Sequence, residues 1–229
     1  MFLDKSSYQK LKKKYLKYIK SQEALSEPFR DKIGQLNNFY LPISQMIKKT
    51  YTKEKKTQII GLTGGQGSGK STISNILKII LKENYNLETA IFSIDDFYKT
   101  LNERKIMSKN ISPLFLTRGV PGTHDTKMLL DCIKKLKNVK FKKLTIPRFN
   151  KATDDRVSKK KWLQITKKPH IVILEGWCVG AGQQKNKDLL IAVNDLEKYQ
   201  DKEKIWRNRV NQELKKDYKK IFKLIDKII

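Results

Sequence analysis

Short apolar runs alternate with amphipathic segments along most of this 229-residue chain. Three runs, at about 57–62, 88–94 and 170–175, have the length and apolar content of strands. The third is continuously apolar, as in a parallel strand buried on both faces. Between the runs, apolar residues recur at helical spacing, for example from Thr126 to about Lys137. This alternation predicts an α/β fold with a doubly wound parallel sheet.

The first 55 residues follow a different pattern, which is helical and lacks a strand signal. A stripe of apolar residues recurs at helical spacing, with lysines on the other face. Such a basic amphipathic helix can lie on a membrane, but packing of the stripe against the domain is the favoured interpretation. We therefore predict an N-terminal helical extension, 1–55, and a core domain, 56–229. The stripe consists of Tyr8, Leu11, Tyr15 and Ile19.

A glycine-rich motif follows the first predicted strand. Residues 61–72 read GLTGGQGSGKST, which fits the phosphate-binding loop (P-loop) pattern. Glycines let backbone N–H groups close around a polyphosphate, Lys70 can reach the outer phosphates, and the Ser71 hydroxyl can ligate Mg²⁺. The apolar stripe after the motif predicts a helix that directs its positive end at the phosphates. The candidate ATP-binding residues are Gly64, Gly65, Gln66, Gly67, Ser68, Gly69, Lys70, Ser71 and Thr72.

Acidic residues stand at the ends of the other two predicted strands. In open α/β sheets the ligand crevice lies beyond the carboxyl ends of the strands, where Asp95, Asp96 and Glu175 would meet the P-loop. An aspartate there could accept a proton from a substrate hydroxyl or hold Mg²⁺ through water, although Asp also favours helix N-caps. Glu175 is suited to orient Mg²⁺ or its waters. The candidate catalytic residues are Asp95, Lys70 and Glu175, and the candidate metal ligands are Ser71, Glu175 and Asp95.

The charge of the chain is strongly positive, with 50 Lys and Arg against 23 Asp and Glu and a formal net charge of +27. Only seven of the 50 are Arg, and the lysines are scattered along the whole chain, which indicates a general compositional bias. With no basic motif interleaved with aromatics, we predict no specific nucleic-acid partner and no membrane partner. A basic nucleic-acid-binding NTPase is a less favoured hypothesis. Where Lys is so common, Arg marks places that need a planar fork of donors, as at Arg118, Arg148 and Arg156.

Cysteine usage indicates a reducing compartment. Two cysteines provide no disulfide framework, so we expect a cytoplasmic protein. Cys132 falls on the apolar side of a predicted helix, whereas Cys178 lies in a glycine-containing loop and could be exposed. We expect neither a membrane-spanning segment nor a signal peptide, because the sequence has no apolar run of the required length.

Several segments, taken in order, resemble the D-glycerate 3-kinase family. That family belongs to the uridine kinase, phosphoribulokinase and pantothenate kinase branch of P-loop kinases. The similarity runs from about Leu41 to the C-terminus. The segments are GLTGGQGSGKST (61–72), SIDDFYKT (93–100), RGVPGTHD (118–125), PRFNKATDDR (147–156), ILEGWCVG (173–180) and NDLEKYQ…WRNRVNQEL (194–214).

The resemblance implies ATP and Mg²⁺ as cofactors and phosphorylation of D-glycerate to 3-phosphoglycerate. Asp95 matches the aspartate of the Asp-Ser-Phe-Tyr motif of related uridine kinases and is the candidate base, although Asp96 stays open for that role. Glu175 matches the Glu-Gly strand end of the family. A kinase of a different small alcohol, such as a nucleoside or pantothenate, also stays open, as does nucleotide binding without turnover. The resemblance also implies a set of substrate-binding residues, which are Asp96, Arg118, His124, Asp125, Arg148 and Arg156.

The end of the chain departs from the family. Related kinases continue with another core strand and an arginine-bearing lid, whereas this sequence stops at Ile228–Ile229, where that strand should begin. The resemblance therefore predicts a truncated product or fragment with three parallel strands. Activity of the isolated chain and its oligomeric state stay open.

Overall fold

The computed structural model describes residues 4–25 and 28–229. Residues 1–3 and 26–27, which fall within the predicted extension, lie outside the described residues. The helices are α1 (Lys5–Glu23), α2 (Lys32–Gln35), α3 (Leu41–Glu54), α4 (Lys70–Tyr85), α5 (Leu101–Asn110), α6 (Thr126–Lys137), α7 (Asp195–Gln200), α8 (Ile205–Glu213) and α9 (Lys219–Phe222). The strands are β1 (Gln58–Thr63), β2 (Thr89–Ser93), β3 (Leu144–Ile146), β4 (Phe149–Asn150), β5 (Asp155–Arg156), β6 (Leu163–Ile165), β7 (Ile171–Gly176) and β8 (Lys227–Ile228).

The central sheet is parallel and has the order β2-β7-β1-β8. β7 lies between β1 and β2, with Ile173 opposite both Ile60 and Ile91. Its residues from Ile171 to Leu174 are fully buried, as the continuous apolar run predicts. This register brings the carboxyl ends of β1, β2 and β7 to one edge of the sheet.

The count of three parallel strands was wrong, because the last residues of the chain form a fourth. Residues Lys227–Ile228 of β8 pair with β1 opposite Ile60 and Gly61, and the backbone N–H of Ile229 donates to the Gly61 carbonyl at 2.8 Å. A run this short carries no periodicity that a sequence pattern could reveal.

Helices cover both faces of the sheet. On one face, Ile60 and Leu62 of β1 pack with Leu77 and Leu81 of α4 and with Ile47 of α3. The opposite face is covered by α6 and by the helical residues 214–222 that follow α8, which begin with a π-helical turn at Leu214–Tyr218. The doubly wound α/β fold is confirmed.

The N-terminal extension packs on the outside of α4. Leu11, Tyr15 and Ile19 of α1 are fully buried against Ile76 and Ile80 of α4. The packing interpretation of the apolar stripe is therefore confirmed. No helix within the described ranges combines the length and apolar character needed to cross a bilayer.

Both cysteines lie in the core. Cys132 is 5 % exposed and Cys178 is 2 % exposed, so the expectation that Cys178 could be exposed was wrong. The glycine-containing loop after β7 turns inward over the sheet, where Cys178 joins the cluster around Ile94 and Val179. Burial raises the pKa of Cys132 to about 11 and that of Cys178 to about 12.

Candidate active site

The P-loop connects β1 to the first turn of α4. Gly67 and Gly69 have φ angles of 79° and 78°, in the left-handed region that glycine adopts at little cost. At Gly64, a Cβ would lie 2.8 Å from the Ser68 hydroxyl oxygen, so a side chain there would have to displace that hydroxyl. α4 begins at Lys70, which places its free N–H groups and positive end at the mouth of the loop.

Lys70 folds back over the loop to which it belongs. Its Nζ donates to the carbonyl oxygens of Gly64 and Gly65 at 2.9 and 2.7 Å. The ammonium group is therefore held at the edge of the cradle, within reach of anything bound there.

Ser71 and Glu175 meet across the end of the sheet. The Ser71 hydroxyl donates to Oε1 of Glu175 at 2.8 Å, and the Ser74 hydroxyl donates to Oε2 at 3.3 Å. Mg²⁺ prefers such hard oxygen donors, and proteins hold it through one or two carboxylates together with phosphate oxygens and waters. The pair fits that requirement, although no cluster of three His, Cys, Asp or Glu suited to a metal occurs in the described ranges.

The two aspartates after β2 have different environments. Oδ2 of Asp96 accepts from the backbone N–H of Ser93 at 3.1 Å and from Nη1 of Arg148 at 2.8 Å. Burial raises the pKa of Asp96, and the Arg148 charge opposes that shift. Since Asp96 caps the turn and pairs with Arg148, its carboxylate is already engaged.

The carboxylate of Asp95 interacts with Lys151 and with Tyr98. Its Oδ2 lies 3.0 Å from Nζ of Lys151, while its Oδ1 is buried. Asp95 lines the same cleft as the P-loop and Glu175. Of the two aspartates, Asp95 is therefore the one that lacks an arginine partner.

Most of the site residues predicted from the sequence line one open cleft of about 1940 Å³. It lies at the carboxyl ends of β1, β2 and β7, where the sequence analysis expected it. The predicted residues that line it are Gly65, Gln66, Gly67, Ser68, Gly69, Lys70, Ser71, Thr72, Asp95, Asp96, Arg118, Arg148 and Glu175. Gly64 contributes its carbonyl oxygen to Lys70.

Two of the predicted arginines border the cleft with half-exposed side chains. Arg118 forms an ion pair with Asp154, and its guanidinium lies 5.6 Å from the ring centroid of Phe149. Arg148 pairs with Asp96. Their exposed fractions of 29 % and 40 % leave donors accessible from the cleft.

The other predicted substrate-side residues, His124, Asp125 and Arg156, do not line the cleft. His124 is 1 % exposed, forms a hydrogen bond through Nδ1 to the Tyr218 hydroxyl, and stacks on Tyr98 at 4.4 Å. Burial lowers the pKa of His124 to about 3. The imidazole is therefore neutral and internal.

Asp125 and Arg156 belong to the same internal network. Oδ1 of Asp125 caps α6 by accepting from the N–H of Met128 at 2.9 Å, and Oδ2 lies 3.2 Å from Nη2 of Arg156. Nε of Arg156 donates to the Tyr98 carbonyl at 2.7 Å. These contacts hold the segment that follows Asp95.

Sequence reasoning missed two basic residues near the cleft, Lys151 and Arg104. Lys151 stands in a polar loop among many lysines and carries no pattern of its own. Arg104 is fully buried, with its guanidinium on Asp154. The scarcity of arginine could have indicated it, because the same argument singled out Arg118.

A parallel sheet with a P-loop before α4 and acids at the neighbouring strand ends defines a P-loop kinase fold. The family described as "Phosphoribulokinase / Uridine kinase family" matches residues 59–218, and the chain belongs to that family. The predicted fold class and family branch are confirmed.

Relatives and solved structures agree with this membership. An uncharacterized kinase of Schizosaccharomyces pombe, mug58, is 32% identical over 196 residues, covering 82% of this chain and 69% of that protein. A pantothenate kinase of Streptococcus suis is 26% identical over 223 residues, covering 87% and 69%. A D-glycerate 3-kinase from Cryptococcus neoformans superposes with a TM-score of 0.69 at 24% identity, covering 82% and 71%, and shows the shared fold. The chain is an ATP-dependent small-molecule kinase of this branch.

Proposed function

We propose that the protein phosphorylates D-glycerate on its 3-hydroxyl, with ATP as donor. One observation carries the proposal: the carboxylate of Asp95 lines a cleft that also contains the P-loop and is bordered by Arg118, Arg148 and Lys151. A small hydroxy acid needs a base for its hydroxyl and cations for its carboxylate, and arginine forks suit a carboxylate.

Each residue has a role in this scheme. The P-loop N–H groups and Lys70 bind the phosphates of ATP, while Ser71 and Glu175 hold Mg²⁺, which neutralises phosphate charge when bound. Asp95 accepts the proton of the acceptor hydroxyl. The acceptor oxygen forms its bond to the γ-phosphorus as the bond between that phosphorus and the β–γ bridging oxygen breaks, and ADP leaves.

Pantothenate is the second candidate acceptor. Relatives at 26–27% identity that cover 87% of the chain are pantothenate kinases. Pantothenate is also a hydroxy acid, so the cations of the cleft suit it as they suit glycerate. Uridine carries no carboxylate and lacks this complementarity.

A panel of acceptors tests the proposal. ADP release would be followed with D-glycerate, L-glycerate, pantothenate and uridine at matched concentrations, and ³¹P NMR would locate the phosphate on the product. We expect the highest kcat/KM for D-glycerate and a 3-phosphate product. Turnover of uridine or pantothenate without turnover of glycerate would contradict the proposal. Mg·ATP binding without any turnover would favour a nucleotide-binding role.

Three further expectations are part of this proposal. We expect the protein in the cytoplasm, and we expect its partner to be a small molecule and not a specific nucleic acid or a membrane. We also expect the chain to divide into the extension 1–55 and the kinase domain 56–229.

A further inference from the structure

The short hairpin of β4 and β5 lies beside the cleft and is fixed at several points. At its base, Oδ1 of Asp155 accepts from the N–H of Leu101 at 3.2 Å. Arg156 ties the hairpin to the Tyr98 carbonyl and to Asp125. Leu101 and Tyr98 follow Asp95 closely in the chain, so the hairpin is braced against the segment that carries the candidate base.

The turn of the hairpin is fixed by Asp154. Its Oδ2 lies 2.9 Å from Nη2 of the fully buried Arg104, which also donates to the Asp154 carbonyl at 2.6 Å. Oδ1 of Asp154 pairs with Arg118. Nη1 of Arg104 donates in addition to the Leu116 carbonyl at 2.6 Å. A buried guanidinium with this many acceptors holds the turn in one position.

The fixed turn presents Lys151 to the cleft. Lys151 is the first residue after β4, and its Nζ lies 3.0 Å from Oδ2 of Asp95. Among the residues that the structure describes, Lys151 is the one cation that forms an ion pair with the Asp95 carboxylate. Its side chain is 62% exposed and lines the cleft.

We propose that Lys151 is a further catalytic residue, whose ammonium group binds the phosphoryl group as it passes from ATP to the acceptor. This inference rests on the proposed function, because it needs Asp95 as the base. Lys70 faces the donor phosphates from the P-loop, and Lys151 would face the same phosphoryl group from the acceptor side. Preorganised cations at the site of developing charge are the main means by which kinases accelerate transfer.

The charge balance of the reaction supports this role. Before transfer, Asp95 is negative and holds Lys151. During transfer the hydroxyl proton moves to Asp95, which becomes neutral and releases its partner. At the same time the acceptor oxygen acquires the phosphoryl group, so a new anion forms beside the released ammonium. Lys151 keeps its protons throughout and changes only its ionic partner.

Replacement of Lys151 tests the inference through kinetics. With the acceptor that turns over, Lys151→Met should lower kcat by about 100-fold, a loss typical of removing one group that stabilises the transition state. The KM for ATP should change by less than about threefold, because the P-loop still binds the phosphates. Lys151→Arg should restore most of kcat, since the charge remains. Lys160→Met is the matched control, because Lys160 is an exposed lysine of the neighbouring segment outside the cleft, and its kcat should equal that of the wild type.

A binding measurement separates this inference from the proposed acceptor. Aluminium fluoride with Mg·ADP mimics the phosphoryl group in transfer, and calorimetry with and without D-glycerate measures its affinity. We expect Lys151→Met to weaken the fluoride complex by more than about tenfold while Mg·ADP alone binds as before.

The possible outcomes are distinct. If the wild-type protein phosphorylates another acceptor and not glycerate, the glycerate proposal is overturned. The Lys151 inference is then tested by the affinity for the aluminium fluoride complex. A Lys151→Met protein that keeps both its kcat and its fluoride affinity overturns the inference and leaves the glycerate proposal intact. A loss of kcat that Lys151→Arg does not restore, together with unchanged fluoride affinity, also overturns it.

Discussion

Among the described residues, Lys70 donates its hydrogen bonds to the carbonyl groups of Gly64 and Gly65 in its own loop. Its removal therefore costs the fold little, whereas the loss of its charge removes stabilisation of the transferring phosphates. We expect Lys70→Ala to reduce ADP release below detection while the urea midpoint shifts only slightly. Activity near that of the wild type would show that the loop does not bind the transferred phosphoryl group.

Asp95 and Asp96 provide a matched pair, because they are adjacent and carry the same group. Asp95→Asn should lower kcat by roughly 10²–10⁴-fold, as expected for loss of a general base, with little change in stability. Asp96→Asn should act mainly on stability, because Asp96 caps its turn and pairs with Arg148. Steady-state kinetics and urea unfolding of both variants distinguish the two roles. A larger fall of kcat in Asp96→Asn would transfer the role of base to that residue.

The buried imidazole of His124 makes stability depend on pH. Burial and the nearby Lys99 lower its pKa from 6.5 to about 3, against the opposing charge of Asp95. The unfolded chain takes up a proton at this residue as the pH falls through 6.5, whereas the folded chain does so only near pH 3. Stability is therefore lost as the pH falls across that window, by about 2 kcal/mol between pH 7 and 5.

Comparison with His124→Asn separates the pH dependence of stability that is due to His124 from the pH dependence that is due to the carboxylates. The wild type should lose more free energy of unfolding between pH 7 and 5 than the variant does, as measured by urea titration at each pH. Equal losses would mean that His124 is not held neutral in the folded state.

At the scale of elements, sequence patterns predicted those segments whose signals are local. The apolar residues at helical spacing predicted α6 with its observed bounds, Thr126–Lys137. β3, by contrast, has only the three residues Leu144–Ile146, and it pairs with β6 in a separate antiparallel ladder outside the central sheet. The β4–β5 hairpin has strands of two residues, too short for any period, and it depends on contacts to Arg104 from a distant helix.

The position of that hairpin depends on Asp154. Asp154→Asn would leave the buried Arg104 without its ionic partner but with its carbonyl acceptors, so we expect a loss of roughly 1–3 kcal/mol in the free energy of unfolding. Asp131→Asn is the control, since Asp131 pairs with Lys135 on the exposed surface of α6 and should cost less than about 0.5 kcal/mol. Equal effects of the two variants on the urea midpoint would show that the hairpin is not fixed through Asp154.

At the scale of the whole molecule, one part of the candidate site comes from a single run of sequence and the other part from segments that are distant in the sequence. The P-loop was predictable because its chemistry depends on one short run, and Asp95 and Glu175 followed from the rule that strand ends converge. The burial of His124 against Tyr218 and the pairing of Lys151 with Asp95 depend on contacts between distant segments. A single sequence does not carry such pairings, and a resemblance to a family assigns residues to loops without showing which side chains face the ligand.

The net charge of +27 also acts at this scale. Scattered lysines attract any polyanion through counterion release, so we expect weak binding of duplex DNA or RNA that falls steeply between about 50 and 200 mM salt. Such binding need not reach the cleft, where Lys70 contacts its own loop and Lys151 contacts Asp95. Saturating nucleic acid should therefore leave the rate of ATP turnover unchanged within about twofold. Nucleic-acid affinity can be measured by fluorescence anisotropy across the salt series, and turnover by ADP release in the same buffers. Stimulation of ATP hydrolysis by a particular DNA or RNA, with affinity that persists at the high-salt end of the series, would favour a nucleic-acid-dependent NTPase over the small-molecule acceptor.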